Sequence, residues 1–299
     1  LSNQKTNDEK MWLPSTGLSI SEVFNRILYV ISKHETNAVF VIDNQSRSDY
    51  YCPVMDDGIY ISWDRFTNLN KYLGNVGRLI NMRVPEYKRP EPDGERFVEV
   101  DKGVIYDKTP EDPYEVVYFS LATNIWPEEM EESDLDIKRD NAYNFIGTVH
   151  APRPGVDPLH QQFIEIVKEN GITFNHYDAE KVHVPSADKA VDETSNIQLM
   201  QKSFFVPDFR PQEQKDNLYV SCRIMKAISY GSPVVADAAY VKDSIDKEVL
   251  CGETAQEIFD LEVEHQYDKE RSRHLWEVVK RGHTYMNRCN GLIEIINGI

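Results

Sequence analysis

The sequence lacks long apolar runs and any surplus of basic charge. No segment approaches the roughly 20 consecutive apolar residues that a membrane-spanning helix needs, so we expect no membrane span. The chain has 33 Lys and Arg against 50 Asp and Glu, a formal net charge of −17. Such a surface repels the phosphate backbone of nucleic acids and anionic lipid. We therefore expect no nucleic-acid partner, and any bound phosphate needs a local pocket of backbone N–H groups and a few basic side chains.

Metal-binding and catalytic signature motifs are also missing. The 4 cysteines form no C-x-x-C pair and have no histidine cluster beside them, which argues against a zinc site and against a disulfide framework. No charged and then apolar leader opens the sequence, and we expect a cytoplasmic protein with reduced thiols. The P-loop, G-x-S-x-G, H-E-x-x-H and paired-glycine dinucleotide motifs are absent as well.

The residues that are present can build a sizeable core in one large or two ordinary domains. Hydrophobic residues make up 40% of the 299 residues and aromatic residues 11%, and this length allows either arrangement. Apolar runs predict strands at Ala38–Ile42, Tyr143–Ile146 and Phe204–Val206, and helical spacing predicts helices at Pro158–Glu169 and Leu218–Tyr230. Strands that alternate with helices indicate β-α-β units on a parallel sheet. Ligands of such sheets bind at the carboxyl ends of the strands.

An acidic stretch, Glu128–Asp136, indicates where the chain divides. We predict an N-terminal domain over residues 1–135 and a C-terminal domain over residues 136–299, with the terminal helix packing back. Within the N-terminal domain, Phe97–Tyr106 reads as a hairpin and Asn68–Asn81 as a helix.

The most informative segment runs from Ser221 to Asp237 and reads S-x-R-x-x-x-A-x-x-x-G-x-P-V-V-x-D. Asp216 or Asn217 can cap the start of its predicted helix. The free N–H groups and the positive dipole end there suit an anion, and Arg223, one turn inside, can add a forked grip on a phosphate. The same spacing also fits an ordinary amphipathic helix with a solvated arginine.

This segment resembles the donor-site segment of GT-B glycosyltransferases of group 1 and their CgeB-like relatives, whose usual form is S-x-R-x-x-E-A-x-x-x-G-x-P-V-V. His283–Arg288 resembles the H-T-Y-x-x-R element of the terminal helix in those relatives, and Asn144–Val149 resembles the first strand and glycine turn of their nucleotide-sugar domain. The matches fall in the family's order over residues 142–297.

The resemblance implies an α/β protein of GT-B type, with two Rossmann-like domains facing a cleft and a short, irregular N-terminal one. It also implies transfer of a sugar from a nucleoside-diphosphate sugar to a hydroxyl acceptor, for which we expect a glycan. We expect neither a metal nor a cofactor in the site.

The resemblance implies roles for individual residues. In that family the helix N-terminus and the arginine bind the donor diphosphate, which carries this role onto Ser221 and Arg223. The family's glutamate, which commonly holds the donor ribose, is replaced here by Lys226. For the catalytic base we favour Asp43, which ends a predicted buried strand, over Asp57 in a predicted turn. Further donor-site candidates share a place in loops or at the helix start: Gly147, Thr148, His150, Arg153, Tyr177, Asp208 and Tyr219.

Two alternatives stay open at this point. One is another GT-B branch, such as an exostosin-like or fucosyltransferase-like enzyme, whose donor segments also pair a serine and a basic residue with an A-x-x-x-G-x-x-P pattern. The other is a decayed transferase that acts as a sugar-binding or partner-binding module. Lys226 in place of glutamate favours the second alternative.

Overall fold

The computed structural model describes residues 39–42, 59–63, 78–83, 94–101, 103–109, 114–123, 125–146, 158–177 and 193–298. These residues divide into two compact units. Unit 1 holds the described residues up to Leu121 together with those from Tyr285 onward, and unit 2 holds those from Ala122 to Thr284. The chain therefore passes from unit 1 to unit 2 and back again, with its last helix in unit 1.

Unit 1 contains a six-stranded sheet in the order β1-β2-β3-β6-β5-β4. Strands β1, β2, β3 and β6 are parallel neighbours, whereas β5 runs antiparallel to both β6 and β4. The predicted strand at Ala38–Ile42 and the predicted hairpin are confirmed. The strands of unit 1 are β1 (Val39–Ile42), β2 (Ile59–Trp63), β3 (Arg78–Arg83), β4 (Phe97–Asp101), β5 (Val104–Asp107) and β6 (Glu115–Phe119).

Strand β3 shows where the sequence pattern was misleading. The helix predicted over Asn68–Asn81 is wrong for its last residues, because Arg78–Asn81 belong to β3 and pair with both β2 and β6. Leu79, Ile80 and Met82 are all buried. A short apolar run of this kind fits a buried central strand as well as a helix, and its neighbours in the sheet decide between them.

Unit 2 has two pairs of parallel strands flanked by helices. β7 (Ala142–Ile146) pairs with β8 (Thr173–Tyr177), and β9 (Val235–Ala236) pairs with β10 (Leu250–Cys251). Parallel strands in both units and intervening helices confirm the predicted α/β class. The described helices are α1 (Pro158–Glu169), α2 (Glu193–Lys202), α3 (Gln212–Asp216), α4 (Cys222–Ser229), α5 (Tyr240–Ser244), α6 (Ala255–His265), α7 (Lys269–Gly282) and α8 (Tyr285–Asn297).

The interior of unit 2 is built around β7, whose five residues are all buried. Phe163 and Val167 of α1 pack with Tyr143 and Phe145 of β7 in one apolar cluster. The strand predicted at Phe204–Val206 is wrong. This segment is joined to β7 by a hydrogen bond from the Phe204 amide to the Ala142 carbonyl (2.7 Å), but it forms no strand ladder with β7.

Helix α4 begins later than its sequence predicted. Leu218 has φ 54°, a left-handed conformation that ends the preceding helix α3 and stops it from running into α4. Ser221 is the N-cap residue of α4, so neither Asp216 nor Asn217 caps it. Tyr230 is the C-cap residue of α4, and the next residue, Gly231, has φ 74°, a left-handed conformation that suits the end of a helix.

The C-terminal helical region is broken between the two units. α7 ends at Gly282, and Thr284 forms a parallel bridge with Thr123 instead of continuing the helix. α8 then packs on β4 and β5 of unit 1. None of the described helices is long and apolar enough to cross a membrane.

Candidate functional site

The N-terminus of α4 lies in unit 2, near Ile146 at the end of β7 and near Asp208. Ser221 is buried there with extended backbone, but its hydroxyl does not cap the helix. It donates instead to Oδ1 of Asp208 (2.9 Å). The first-turn amides of α4 are therefore left without a side-chain cap, and they carry the partial positive charge of a helix start.

Arg223 is the second residue of α4, and its guanidinium contacts a carbonyl and an aromatic ring. Its Nη2 donates to the backbone carbonyl of Ile146 (2.8 Å), and its guanidinium lies 4.8 Å from the centre of the Phe145 ring. No Asp or Glu of the described residues forms an ion pair with it. Burial lowers the pKa of Arg223, and the charge of Arg210 lowers it further. The remaining N–H donors of this guanidinium suit an anionic ligand.

Arg210 is placed nearby but is already neutralised. Its Nε donates to Oδ2 of Asp208 (2.8 Å), and its Nη2 pairs with Oδ1 of the same carboxylate. Burial works to lower the pKa of Arg210, but Asp208 outweighs it and the pKa lies above its usual value. Asp208 is 1% exposed, and its carboxylate accepts hydrogen bonds from both Arg210 and the Ser221 hydroxyl.

Asp237 follows β9 and makes a second buried ion pair. Its Oδ2 accepts from Lys215 Nζ (2.8 Å) and from the Arg210 amide (2.8 Å). Burial raises its pKa. The hydroxyl of Tyr240 donates to the carbonyl of Tyr219 (2.7 Å), which ties α5 to the segment before α4. Burial, with the charge of Asp208, raises the pKa of Tyr240 to about 12.

Lys226 lies one further turn along α4. It is 4% exposed, and no carboxylate of the part of unit 2 that the structure describes pairs with it. Tyr177, at the end of β8, packs against the apolar cluster that contains Ile224 of α4. Lys226 is therefore part of this helix, and Tyr177 lies among the residues that pack around it.

The structure brings together four of the predicted site residues, Asp208, Tyr219, Ser221 and Arg223. Arg210 was missed by sequence reasoning, although it stands 5.8 Å from the Tyr219 ring and binds Asp208. Only the spacing Asp-x-Arg after an apolar run could have indicated it. Six predicted residues lie outside the described residues: Asp43, Asp57, Gly147, Thr148, His150 and Arg153.

The described part of the chain has no group of three or more His, Cys, Asp or Glu side chains that could hold a metal ion. The acidic residues at the site are instead engaged by cations. The helix start and Arg223 therefore present N–H donors of a kind that suits an anionic ligand.

No protein-family model matches the chain, and no curated protein matches it in sequence. Several solved structures are similar to it, among them two trehalose-phosphate synthases. One is a trehalose-6-phosphate synthase studied with bisubstrate glycomimetics for glycosyl transfer with retention, at 10% identity and a TM-score of 0.49, covering 82% of this chain and 74% of that chain. The other is a UDP-forming α,α-trehalose-phosphate synthase from Burkholderia xenovorans in complex with glucose-6-phosphate, at 7% identity and a TM-score of 0.48, covering 93% of this chain and 77% of that chain.

Proposed function

We propose that this protein is a glycosyltransferase of GT-B type that moves a sugar from a nucleoside-diphosphate sugar to a hydroxyl group. The observation that carries the proposal is Arg223. It is a partly buried cation at a helix start that lacks a side-chain cap, and its neighbours are a carbonyl and an aromatic ring instead of a carboxylate. A diphosphate supplies the charge that this position leaves unmatched. The resemblance of Ser221–Asp237 to a GT-B donor segment supports the same assignment.

The proposed chemistry follows from where negative charge develops. When the bond between the sugar and the diphosphate breaks, charge accumulates on the departing diphosphate. Arg223 and the first amides of α4 stabilise that charge because they are already oriented before the reaction. Asp208 positions Arg210 and Ser221, which fixes the segment leading into α4.

The other parts of the proposal rest on the sequence. The acceptor is a glycan hydroxyl, deprotonated by Asp43 or, as the alternative, by Asp57. Tyr177 lies beside the nucleobase, and the transfer uses no metal or cofactor. The protein works in the cytoplasm. The residues that complete the phosphate site are Gly147, Thr148, His150 and Arg153.

A binding module that has lost transfer activity is the second candidate, and Lys226 in place of the family's glutamate favours it. This candidate is a sugar-binding or partner-binding module, which needs no nucleotide, whereas the transferase binds a nucleoside diphosphate and cleaves the donor sugar. Release of free nucleotide from UDP-glucose or GDP-mannose in the presence of acceptor sugars separates them.

The first test is nucleotide binding by calorimetry and thermal unfolding with UDP, GDP and dTDP. We expect one of them to stabilise the protein by about 2–3 kcal/mol at a concentration near 100 times its dissociation constant. Arg223→Ala should weaken that binding by about 10–100-fold, since it removes a charged hydrogen bond. The variant should lose only about 0.5–1.5 kcal/mol of stability, because Arg223 forms no ion pair with the described residues and gives up one hydrogen bond, to the Ile146 carbonyl, and its contact with Phe145.

Arg273→Ala is the matched control, because Arg273 is an exposed arginine of the same unit whose partner is Glu132. It should leave nucleotide affinity unchanged. The proposal fails if none of the three nucleotides stabilises the wild-type protein at millimolar concentration. The role of Arg223 fails if Arg223→Ala binds as tightly as the wild type.

A further inference from the structure

Lys226 is a lysine with little exposed surface and with no carboxylate partner among the described residues. It is 4% exposed, whereas lysine is almost never buried unless it is paired. The two carboxylates of the candidate site do not serve it. Asp208 is engaged by Arg210 and Ser221, and Asp237 by Lys215.

The position of Lys226 on α4 places it next to Arg223. Residues three apart on a helix are neighbours on its surface. Helical side chains also lean toward the N-terminus, so the Lys226 stem extends over the turn that contains Arg223. Two cations that have no carboxylate partner among the described residues thus share one face at the start of α4. An anionic ligand that reaches both side chains would gain a charge-assisted contact with each of them.

We infer that Lys226 binds a second anionic group of the substrates, a carboxylate or phosphate carried by a sugar, beside the diphosphate that Arg223 binds. The inference rests on the proposed function and narrows its substrate class to an acidic sugar. The acid group belongs either to the donor sugar or to the acceptor sugar. In both cases it makes a charge-assisted contact with the ammonium of Lys226, which a neutral sugar cannot make.

The experiment compares neutral and acidic ligands of otherwise matched structure by calorimetry. For the donor, the pairs are UDP-glucose with UDP-glucuronate and GDP-mannose with GDP-mannuronate. For the acceptor, glucose and glucose 6-phosphate are titrated into protein saturated with UDP or GDP. In one of these arms the wild type should prefer the acidic member by at least about tenfold. The arm that shows the preference identifies which sugar carries the acid.

Lys226→Met keeps a long, unbranched side chain without the charge and should reduce the preference to about one. Lys226→Gln provides a second variant that keeps a polar end. Both should melt close to the wild-type temperature, because Lys226 forms no ion pair with the described residues. Lys242→Met is the matched control, since Lys242 is exposed on α5 of the same unit, and it should keep the full preference.

The inference is overturned if the wild type shows no preference in any arm, or if either Lys226 variant keeps the wild-type preference. An equal loss of affinity for neutral and acidic members leaves the ratio unchanged and also overturns it. These results differ from failure of the proposed function, in which the wild type binds neither UDP nor GDP at all and both conclusions fall together.

Discussion

Glu262 on α6 is a buried carboxylate that the proposed chemistry does not use. It is 1% exposed, and its Oε1 accepts from the Val206 amide (3.3 Å). Its Oε2 is buried and has no hydrogen-bond partner in the described part of the chain. Burial raises the pKa of Glu262 to about 8, although the Val206 amide and the charge of Arg139 act in the opposite direction. The folded protein therefore holds this proton at neutral pH.

This raised pKa makes folding stability depend on pH. The ordinary pKa of a glutamate in the unfolded chain is 4.5. Between pH 4.5 and about 8 the unfolded chain has released the proton and the folded chain has kept it, so the free energy of unfolding falls as pH rises. We expect the wild type to lose up to about 1.4 kcal/mol per pH unit relative to Glu262→Gln. Urea unfolding of both proteins between pH 6 and 8 measures this difference.

Asp260→Asn serves as the control for the pH experiment, because Asp260 is exposed on the same helix and its hydrogen-bond donor, Gln256, does not titrate. Its stability should follow the wild-type pH dependence. Parallel stability curves for the wild type and Glu262→Gln would contradict the raised pKa of Glu262. The network of Arg139 and Glu262 would then be fully ionised in the folded protein at neutral pH.

At the scale of elements, two glycines end helices in the same conformation but in different surroundings. Gly231, after α4, has φ 74°, and Gly171, after α1, has φ 72°. A Cβ at Gly231 would collide with the backbone carbonyl of Asp134, whereas a Cβ at Gly171 would meet nothing within 4 Å. The end of α4 is thus fixed by close packing as well as by backbone conformation.

Alanine at these two positions should separate the two effects. Gly171→Ala should cost about 1–2 kcal/mol, the cost of a left-handed conformation with a side chain. Gly231→Ala should cost at least about 2 kcal/mol more, because the Asp134 backbone must move. Urea unfolding gives both values. Equal losses would mean that the Asp134 segment yields freely, and the close approach would then not stabilise the end of α4.

The sequence predicted most elements of unit 2 because their signals are local. The end of α1 at Asn170-Gly171 and the end of α4 at Gly231 follow from glycine's freedom at positive φ. The sequence could not predict where α4 starts, because a leucine at position 218 gives no indication of a left-handed conformation. For the site, Arg223 was indicated by the resemblance of Ser221–Asp237 to a GT-B donor segment, because its spacing alone also fits an ordinary amphipathic helix. The engagement of Ser221 by Asp208 was not, because these residues are 13 apart and meet only after folding.

At the scale of the whole molecule, the net charge of −17 opposes binding of any anionic substrate. Salt screens such repulsion beyond about 8–10 Å at physiological ionic strength. The attraction must therefore come from cations within a few ångströms of the ligand. Arg223 and Lys226 are available for this role under the proposal, because neither has a carboxylate partner among the described residues.

The return of the last helix to unit 1 gives the final prediction. Gly291 of α8 lies against the hairpin of β4 and β5, and a Cβ there would stand 3.1 Å from the Cβ atoms of Asp101 and Val104. Gly291→Leu should push α8 off the hairpin at a cost of about 1–3 kcal/mol, the usual range for overpacking. Arg78 would then lose the carbonyls of Ile295 and Ile296, to which it donates at 2.8 and 2.7 Å.

Hydrogen exchange followed by mass spectrometry shows where that destabilisation falls. Because α8 packs within unit 1, amide protection in Gly291→Leu should decrease in β4, β5 and β6 and stay at the wild-type level in β7 and α1 of unit 2. Asn290→Ala, an exposed neighbour on the same helix, should change neither set. A uniform loss of protection over both units would show that they unfold as one cooperative body. Unchanged protection in β4–β6 would show that α8 does not stabilise the sheet.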